Sequence, residues 1–182
     1  KGKQGSGKSL LFNLIGRCML GDDFLLETAE VEKVVGRFTC INGKFLIILD
    51  ETKGKDTFGN NEKLKNIITQ STICWEEKGV NAIKISNCGR YVFLSNHETP
   101  VPVEMGDRRY QVFDMNNKMK NNKIYFDELC RAFKNDDIMM SFYDFLMSVD
   151  ISNWDIINDR PITKLYTDIQ EVNVPIYIRY LM

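Results

Sequence analysis

The chain has little of what metal-binding, secreted or membrane-spanning proteins usually display. His97 is the only histidine among the 182 residues, and none of the five cysteines lies at CxxC spacing from another. A Cys/His zinc site and a disulfide framework are therefore both disfavoured, and we expect reduced, mostly buried thiols. No apolar run reaches the roughly 20 residues that cross a bilayer, and no signal-peptide pattern is present. These absences predict a protein that is neither embedded in a membrane nor secreted.

The chain also lacks an excess of charge of either sign. It carries 24 Lys and Arg against 25 Asp and Glu, for a formal net charge of −1. A protein that coats duplex DNA with one broad basic face is therefore not expected, although a few basic side chains can still be concentrated in a pore or loop. The first residues are Lys and Gly rather than Met, so we expect the sequence to be a piece of a longer protein.

Two regions of different composition meet near residue 115. Residues 1–115 alternate short apolar runs with glycine-containing loops, which is typical of an α/β unit with a parallel sheet flanked by helices. We predict helices over residues 10–20 and 62–69, strands over 44–49, 91–95 and 110–113, a possible strand within 31–40, and a hairpin over 73–85. Residues 116–123 are rich in Asn and Lys and predict a solvated loop. Apolar residues then recur at helical spacing, so residues 116–182 are predicted to form a small helical appendage.

A glycine-rich segment opens the chain and fits the P-loop template GxxxxGK[ST] at every fixed position. Glycines allow backbone N–H groups to surround a β-phosphate, and the following helix presents its N-terminus to the same anion. Lys8 is expected to contact the β- and γ-phosphates, and the Ser9 hydroxyl to ligate Mg²⁺. The predicted cofactors are therefore ATP and Mg²⁺, and the predicted binding residues are Gly2, Gln4, Gly5, Ser6, Gly7, Lys8 and Ser9.

The alternative for this segment is a glycine-rich turn that only caps a helix. The complete match and the apolar helical stretch directly behind it disfavour that alternative. A P-loop follows a β-strand, and here that strand would precede residue 1. The ATPase core is therefore predicted to lack its first strand.

Two acidic residues follow the most continuous apolar run of the core. Residues 44–49 (KFLIIL) predict a strand buried on both faces, and Asp50 and Glu51 come directly after it. Ligands of open α/β sheets bind at the carboxyl ends of the strands. We therefore predict that Asp50 holds Mg²⁺ through water and that Glu51 orients the attacking water as a general base. The alternative is an exposed pair of acids at the end of a strand.

Further polar and basic residues follow the next predicted strands. Asn96 comes after residues 91–95 (YVFLS), where an amide can hold the attacking water or sense the γ-phosphate, and a turn residue is the alternative. Arg108 and Arg109 belong to the run DRRY, and an arginine from a neighbouring subunit can stabilise charge in phosphoryl transfer. We favour Arg108 as this arginine finger and retain Arg109. The alternative is a surface ion pair between Asp107 and one of the two arginines.

The predicted hairpin carries basic residues near its tip. Lys78 and Lys84 flank the turn expected at residues 79–81. Such side chains can follow a nucleic-acid backbone by charge alone. The alternative is an ordinary solvated hairpin tip, and the residues by themselves leave both open.

The order of these motifs resembles that of the superfamily 3 helicases. The glycine loop, the strand with DE, the lysine-bearing hairpin, the strand with Asn and DRRY follow one another between Gly2 and about Phe113. Within that superfamily the chain looks most like the primase-helicase motors of poxvirus and giant-virus type. More loosely, residues 125–146 and the run RPIT at residues 160–163 look like that family's C-terminal helical region.

The resemblance implies an AAA+-like P-loop NTPase fold, a hexameric ring with ATP bound between subunits, and translocation on single-stranded DNA through the pore. By position it makes Asp50 and Glu51 the Walker B pair and Asn96 sensor 1, and it sets Lys78 in the pore hairpin. It further implies an N-terminal primase or collar domain that this sequence does not include. The predicted function is thus the ATPase motor of a ring-forming replicative DNA helicase, in the cytoplasm or at a viral replication site.

Two other classes of protein use similar motifs. A nucleotide-switched assembly factor, or an AAA+ ATPase that remodels proteins, shares the ATPase residues, and only the hairpin and the resemblance favour a helicase over it. A P-loop kinase transfers phosphate to a bound acceptor and needs no water-activating glutamate. Glu51 and Asn96 therefore disfavour the kinase.

Overall fold

A small parallel sheet flanked by helices organises the computed structural model, which describes residues 1–51 and 54–174. The strands in chain order are β1 (Leu25–Thr28), β2 (Leu46–Asp50), β3 (Thr72–Trp75), β4 (Ile83–Ser86) and β5 (Arg90–Leu94). β2 lies between β1 and β5 and pairs in parallel with both, whereas β3 and β4 form a separate antiparallel hairpin. The predicted parallel sheet and the predicted hairpin are both present.

Helices connect these strands and form the C-terminal part of the chain. They are α1 (Lys8–Ile15), continued by a π-helical turn (Gly16–Leu20), α2 (Glu32–Val35), α3 (Gly54–Gly59), α4 (Asn61–Thr69), α5 (Lys123–Phe133), α6 (Asp136–Ser148) and α7 (Lys164–Asn173). A short 3-10 turn (Asp22–Phe24) precedes β1. The helices predicted behind the glycine loop, over residues 62–69 and in the C-terminal region are therefore confirmed.

β2 is the centre of the core because both of its faces are covered. Ile47 and Leu49 are fully buried in a cluster with residues of α2 and α4, among them Val34 and Leu64. On the opposite face, Leu46 and Ile48 pack in a second cluster with residues of β1, β5 and α1. An uninterrupted apolar run suits this position, since a central parallel strand has no face in contact with water.

Two predicted strands are wrong. Within residues 31–40 the chain forms α2, because Val31 and Val34 share the buried face of one helical turn. Residues 110–113 contain no strand. The carbonyls of Tyr110 and Val112 accept hydrogen bonds from the side chains of Arg160 and Thr163, which take the place of a strand partner.

The cysteine prediction is wrong in part. All five thiols are free, as expected, but Cys18, Cys40, Cys74 and Cys88 are exposed and only Cys130 is half-buried. None of the five cysteines belongs to the buried core. Across the described residues, no helix is long and apolar enough to cross a membrane.

α7 of the C-terminal region packs against the residues that follow the parallel sheet in the chain. Tyr166 and Ile169 of α7 are buried against Val103, Tyr110 and Val112. α5 and α6 pair with each other, with the rings of Phe133 and Phe142 at 6.5 Å. Residues 103–112 are thus sandwiched between the sheet and α7.

Candidate functional site

One cavity collects most of the residues that the sequence predicts to be functional. It has a volume of about 160 Å³ and lies where the glycine loop meets the carboxyl ends of β2 and β5. The residues that line it are Gln4, Gly5, Gly7, Lys8, Ser9, Leu10, Asp50, Glu51 and Asn96. Gly2 and Ser6, which belong to the same loop, are buried. The Gly2 N–H donates to the carbonyl of Ser95, 3.2 Å away, and so ties the loop to the exit of β5.

Lys8 is the only basic residue in the described lining of the cavity. Its side chain is buried, and the Nζ atom donates to the Asn96 Oδ1 at 2.7 Å, to the Gly2 carbonyl at 2.9 Å and to the Lys3 carbonyl at 3.1 Å. An ammonium has three N–H donors, so each of them has a partner. These oxygens hold the charge in a fixed place, as a buried cation requires.

Ser9 and Asp50 both line the cavity and are in contact, although they are far apart in sequence. The Ser9 hydroxyl donates to the Asp50 carboxylate. Ser9 stands in the first turn of α1 and Asp50 ends β2, so the contact joins the glycine loop to the central strand. Hydroxyl and carboxylate oxygens are the ligands that Mg²⁺ prefers, and Mg²⁺ completes its shell with water and phosphate oxygens. This pair could hold one such ion.

Glu51 and Asn96 stand at neighbouring strand ends. The Glu51 N–H donates to the Leu94 carbonyl at 3.1 Å, which brings the residue after β2 next to the end of β5. Glu51 is exposed and lines the cavity, as does Asn96. The two side chains therefore offer a carboxylate and an amide to the same space.

The backbone of the glycine loop presents donors rather than side chains. Gly5 and Gly7 have φ angles of 78° and 85°, which a residue with a Cβ adopts only with strain. Gly7 precedes α1, which has neither a side-chain cap nor an acidic residue in its first turn. The first N–H groups of the helix are therefore available to an anion. The Ser6 hydroxyl is buried and has no partner among the described residues.

The structure adds two residues that sequence reasoning missed, Asn121 and Phe126. The Asn121 N–H donates to the Gly5 carbonyl at 3.2 Å, and a Cβ on Gly5 would collide with the Asn121 side chain. A Cβ on Gly7 would lie only 2.5 Å from the Phe126 ring. Asn121 has a φ of 59°, so it occupies a turn position that Asn tolerates better than most residues. The asparagine-rich composition of residues 116–123 was the only signal for Asn121, and Phe126 was recognisable only by its place in the helical spacing of apolar residues that follows.

Arg108 and Arg109 lie elsewhere. Neither belongs to the described lining of the cavity, and both are exposed. The Arg109 N–H donates to the Asp107 Oδ1 at 2.8 Å, and its guanidinium lies 3.7 Å from the Asp107 Oδ2. The ion pair that the sequence offered as an alternative is therefore formed by Arg109. Arg108 lies close enough to Asp155 to contribute to that residue's lowered pKa, after the hydrogen bonds from Ile157 and Asn158.

Lys78 and Lys84 are both on the hairpin and both exposed. Lys84 belongs to β4 and is paired with Cys74 across the ladder, whereas Lys78 lies in the connection between the strands. Lys78 also borders a second, larger cavity of about 460 Å³ together with Phe38 and Trp75. The hairpin lysines do not line the cavity of Lys8 and Asp50 as far as the structure is described.

Comparison with solved structures identifies the fold first. The chain superposes on two apo structures of the NrS-1 C-terminal region with TM-scores of 0.75 and 0.74 at 23% and 22% identity. Each superposition covers 96% of this chain, and 42% and 41% of those chains. At this level of identity the likeness establishes a shared fold.

Sequence comparison then gives the family. The chain belongs to a family of proteins of unknown function, DUF5906, whose model matches residues 1–109. Over 131 residues it is 27% identical to the DNA Primase-polymerase of Nitratiruptor phage NrS-1, a match that covers 70% of this chain. The match covers 18% of that protein, so the chain spans about a fifth of its length.

Proposed function

We propose that this chain is the ATP-hydrolysing motor of a DNA helicase that takes part in replication. The observation that carries the proposal is the meeting of the glycine loop with the ends of β2 and β5 in one cavity. There Lys8, Ser9, Asp50, Glu51 and Asn96 are neighbours. The similarity to a phage DNA Primase-polymerase supports a role in replication.

The hydrogen bonds around the sheet support an AAA+-like P-loop arrangement. Gly2 bonds to Ser95 beside β5, and the N–H of Met115 donates to the Lys1 carbonyl at 2.8 Å. The start of the glycine loop therefore lies between β5 and the segment that follows DRRY. In an AAA+-like sheet the strand before the P-loop would occupy this place, beside β5 and the segment that follows DRRY.

Each residue of the cavity has a task in hydrolysis under this proposal. Lys8 exchanges its bonds to protein oxygens for the β- and γ-phosphate oxygens, and the loop N–H groups bind the β-phosphate. Ser9 and Asp50 hold Mg²⁺, which supplies charge neutralisation at the phosphates when bound. Glu51 accepts a proton from the attacking water, and Asn96 orients that water. Arg108 of a neighbouring subunit contacts the γ-phosphate, because the subunit's own cavity contains no arginine among its described lining.

The decisive measurement is ATP hydrolysis by the chain in the presence and absence of single-stranded DNA. We expect hydrolysis that single-stranded DNA stimulates, and we expect Lys8→Ala to abolish it by removing the charge that binds the phosphates. Lys63→Ala is the matched control, because Lys63 is an exposed lysine of α4 remote from the cavity lining.

Undiminished hydrolysis in Lys8→Ala would refute the assignment of this cavity as the ATPase site, and a lack of hydrolysis by the unaltered chain would refute the ATPase proposal. Hydrolysis that responds to an added protein but not to single-stranded DNA would instead favour a protein-remodelling ATPase. Hydrolysis that depends on an added small acceptor, with transfer of phosphate to it, would favour a kinase.

A further inference from the structure

Side chains of the C-terminal region bond to the main chain of the segment that contains DRRY. Five side chains from residues 160–173 donate hydrogen bonds to carbonyls of residues 103–112. The bonds run from Arg160 to Asp107 (2.9 Å) and Tyr110 (3.3 Å), from Thr163 to Val112 (2.5 Å), from Tyr166 to Asp107, from Gln170 to Glu104 (2.7 Å) and from Asn173 to Val103 (3.0 Å). Because the acceptors are carbonyls, these bonds fix the path of the backbone and not merely the packing of side chains.

Arg160 is the central member of this group. Its guanidinium stacks over the Tyr166 ring at 4.7 Å, and one of its nitrogens donates to the Tyr166 hydroxyl at 3.1 Å. Arg160 and the buried Tyr166 both donate to the Asp107 carbonyl, which directly precedes Arg108. Two donors at one carbonyl make this the most firmly held point of the turn.

Side chains of the segment itself also stabilise the turn around Arg108. The Asp107 side chain is buried, and its carboxylate accepts from the Arg109 N–H and pairs with the Arg109 guanidinium. At the start of the segment, Glu104 accepts a hydrogen bond from Lys65 of α4 at 2.7 Å, which lowers the pKa of Glu104. Arg108 is thus an exposed residue between anchored neighbours.

We propose that Arg160 is a positioning residue that aims Arg108 at the ATP of the neighbouring subunit; this inference rests on the proposed function. A guanidinium that contacts a phosphate across a subunit boundary must be placed accurately, since a misplacement of about 1 Å can lower the rate roughly a hundredfold. A backbone that is fixed before ATP binds provides that accuracy. The planar fork of an arginine can satisfy two carbonyls and a hydroxyl together, whereas a lysine ammonium cannot reproduce that geometry.

The test is Arg160→Lys, which keeps the charge and the aliphatic stem but loses the fork. We expect ATP affinity within about twofold of the wild type and a kcat lower by roughly tenfold to a hundredfold. Arg131→Lys on α5 is the control, because Arg131 is exposed and should change neither quantity. Tyr166→Phe keeps the stacked ring while it removes the hydroxyl, so it should lower kcat in the same direction by less.

Mixed assemblies separate positioning from a loss of folding. Arg160→Lys subunits retain an intact cavity, and Glu51→Gln subunits retain an intact turn. A mixture of the two should therefore be more active than either variant alone. If Arg160→Lys and Tyr166→Phe both keep the wild-type kcat, or both lose ATP binding, the inference is overturned.

The inference is also overturned if this mixture is no more active than its two components while a mixture of Arg108→Ala and Glu51→Gln exceeds both of its own. By contrast, a wild-type chain that hydrolyses no ATP would overturn the proposed function itself.

Discussion

At the scale of single residues, Glu51 combines an exposed carboxylate with an unusual backbone conformation. Its φ angle is 52°, and it is one of two non-glycine residues with positive φ in the described chain. For a residue with a Cβ this region costs about 1 kcal/mol or more. Such strain collects at functional positions, where the surrounding structure enforces it. Here the bond from the Glu51 N–H to Leu94 holds the conformation.

Glu51→Gly should separate the stability of the chain from its activity. We expect ATP hydrolysis to be lost with the carboxylate, while Tm rises by roughly 2–4 °C because glycine adopts positive φ without strain. Glu51→Gln is the control, since it should lose hydrolysis at an unchanged Tm. A scanning calorimeter and a steady-state ATPase assay are sufficient. A lower Tm in Glu51→Gly would show that the backbone is not strained at this point.

The residues that sequence reasoning predicted at the cavity were those with a local pattern. Lys8 and Ser9 belong to a short motif that predicts phosphate chemistry, and Asp50 was predicted from its place at the end of an apolar run that follows this motif. Asn121 and Phe126 carry no such pattern, because they meet Gly5 and Gly7 only through contacts that span more than a hundred residues of chain. Contacts of that kind follow from the tertiary structure and cannot be derived from periodicity.

At the scale of elements, the strands that the sequence predicts best are those whose burial leaves a simple pattern. β2 is apolar at four successive positions and is buried on both faces. β1 (LLET) is short and ends in polar residues, so it has no such pattern and was missed. Residues 110–113 resemble a strand in composition, yet side chains of the C-terminal region occupy their carbonyls. Neither outcome is encoded by the segment itself.

The hairpin of β3 and β4 gives a prediction for DNA binding. Lys78→Ala should lower the stimulation of ATP hydrolysis by single-stranded DNA and leave the basal rate unchanged, because the hairpin lies apart from the described lining of the nucleotide cavity. Lys84→Ala should act in the same direction, and the double variant should show a weaker salt dependence of DNA binding. Lys63→Ala again serves as the control. DNA stimulation that survives the double variant would remove the hairpin from the DNA path.

At the scale of the whole molecule, the proposed function divides each catalytic site between two copies of the chain. Lys8, Asp50 and Glu51 line its own cavity, whereas Arg108 is exposed and absent from the described lining. A net charge of −1 gives no general attraction to DNA, so binding would depend on basic residues that an assembly brings together. Under the proposed function, hydrolysis therefore requires a neighbouring copy of the chain.

The activity per subunit should therefore rise with protein concentration and then level off. Mass photometry in the presence of ATP and single-stranded DNA should find the larger species over the same range of concentration. Arg108→Ala should assemble normally but remain slow at every concentration. A specific activity that is constant down to the monomeric range would mean that hydrolysis needs no neighbour.

The bond from Met115 to Lys1 has a consequence for how successive sites would communicate. It joins the segment that follows Arg108 to the start of the glycine loop, which would bind the subunit's own ATP under the proposed function. If ATP binding shifted that loop, the hydrogen bond from Met115 to Lys1 would move the segment that leads to Arg108, and Arg108 would serve the next subunit. In a ring, such a linkage would make ATP binding at one site control when hydrolysis occurs at the neighbouring site.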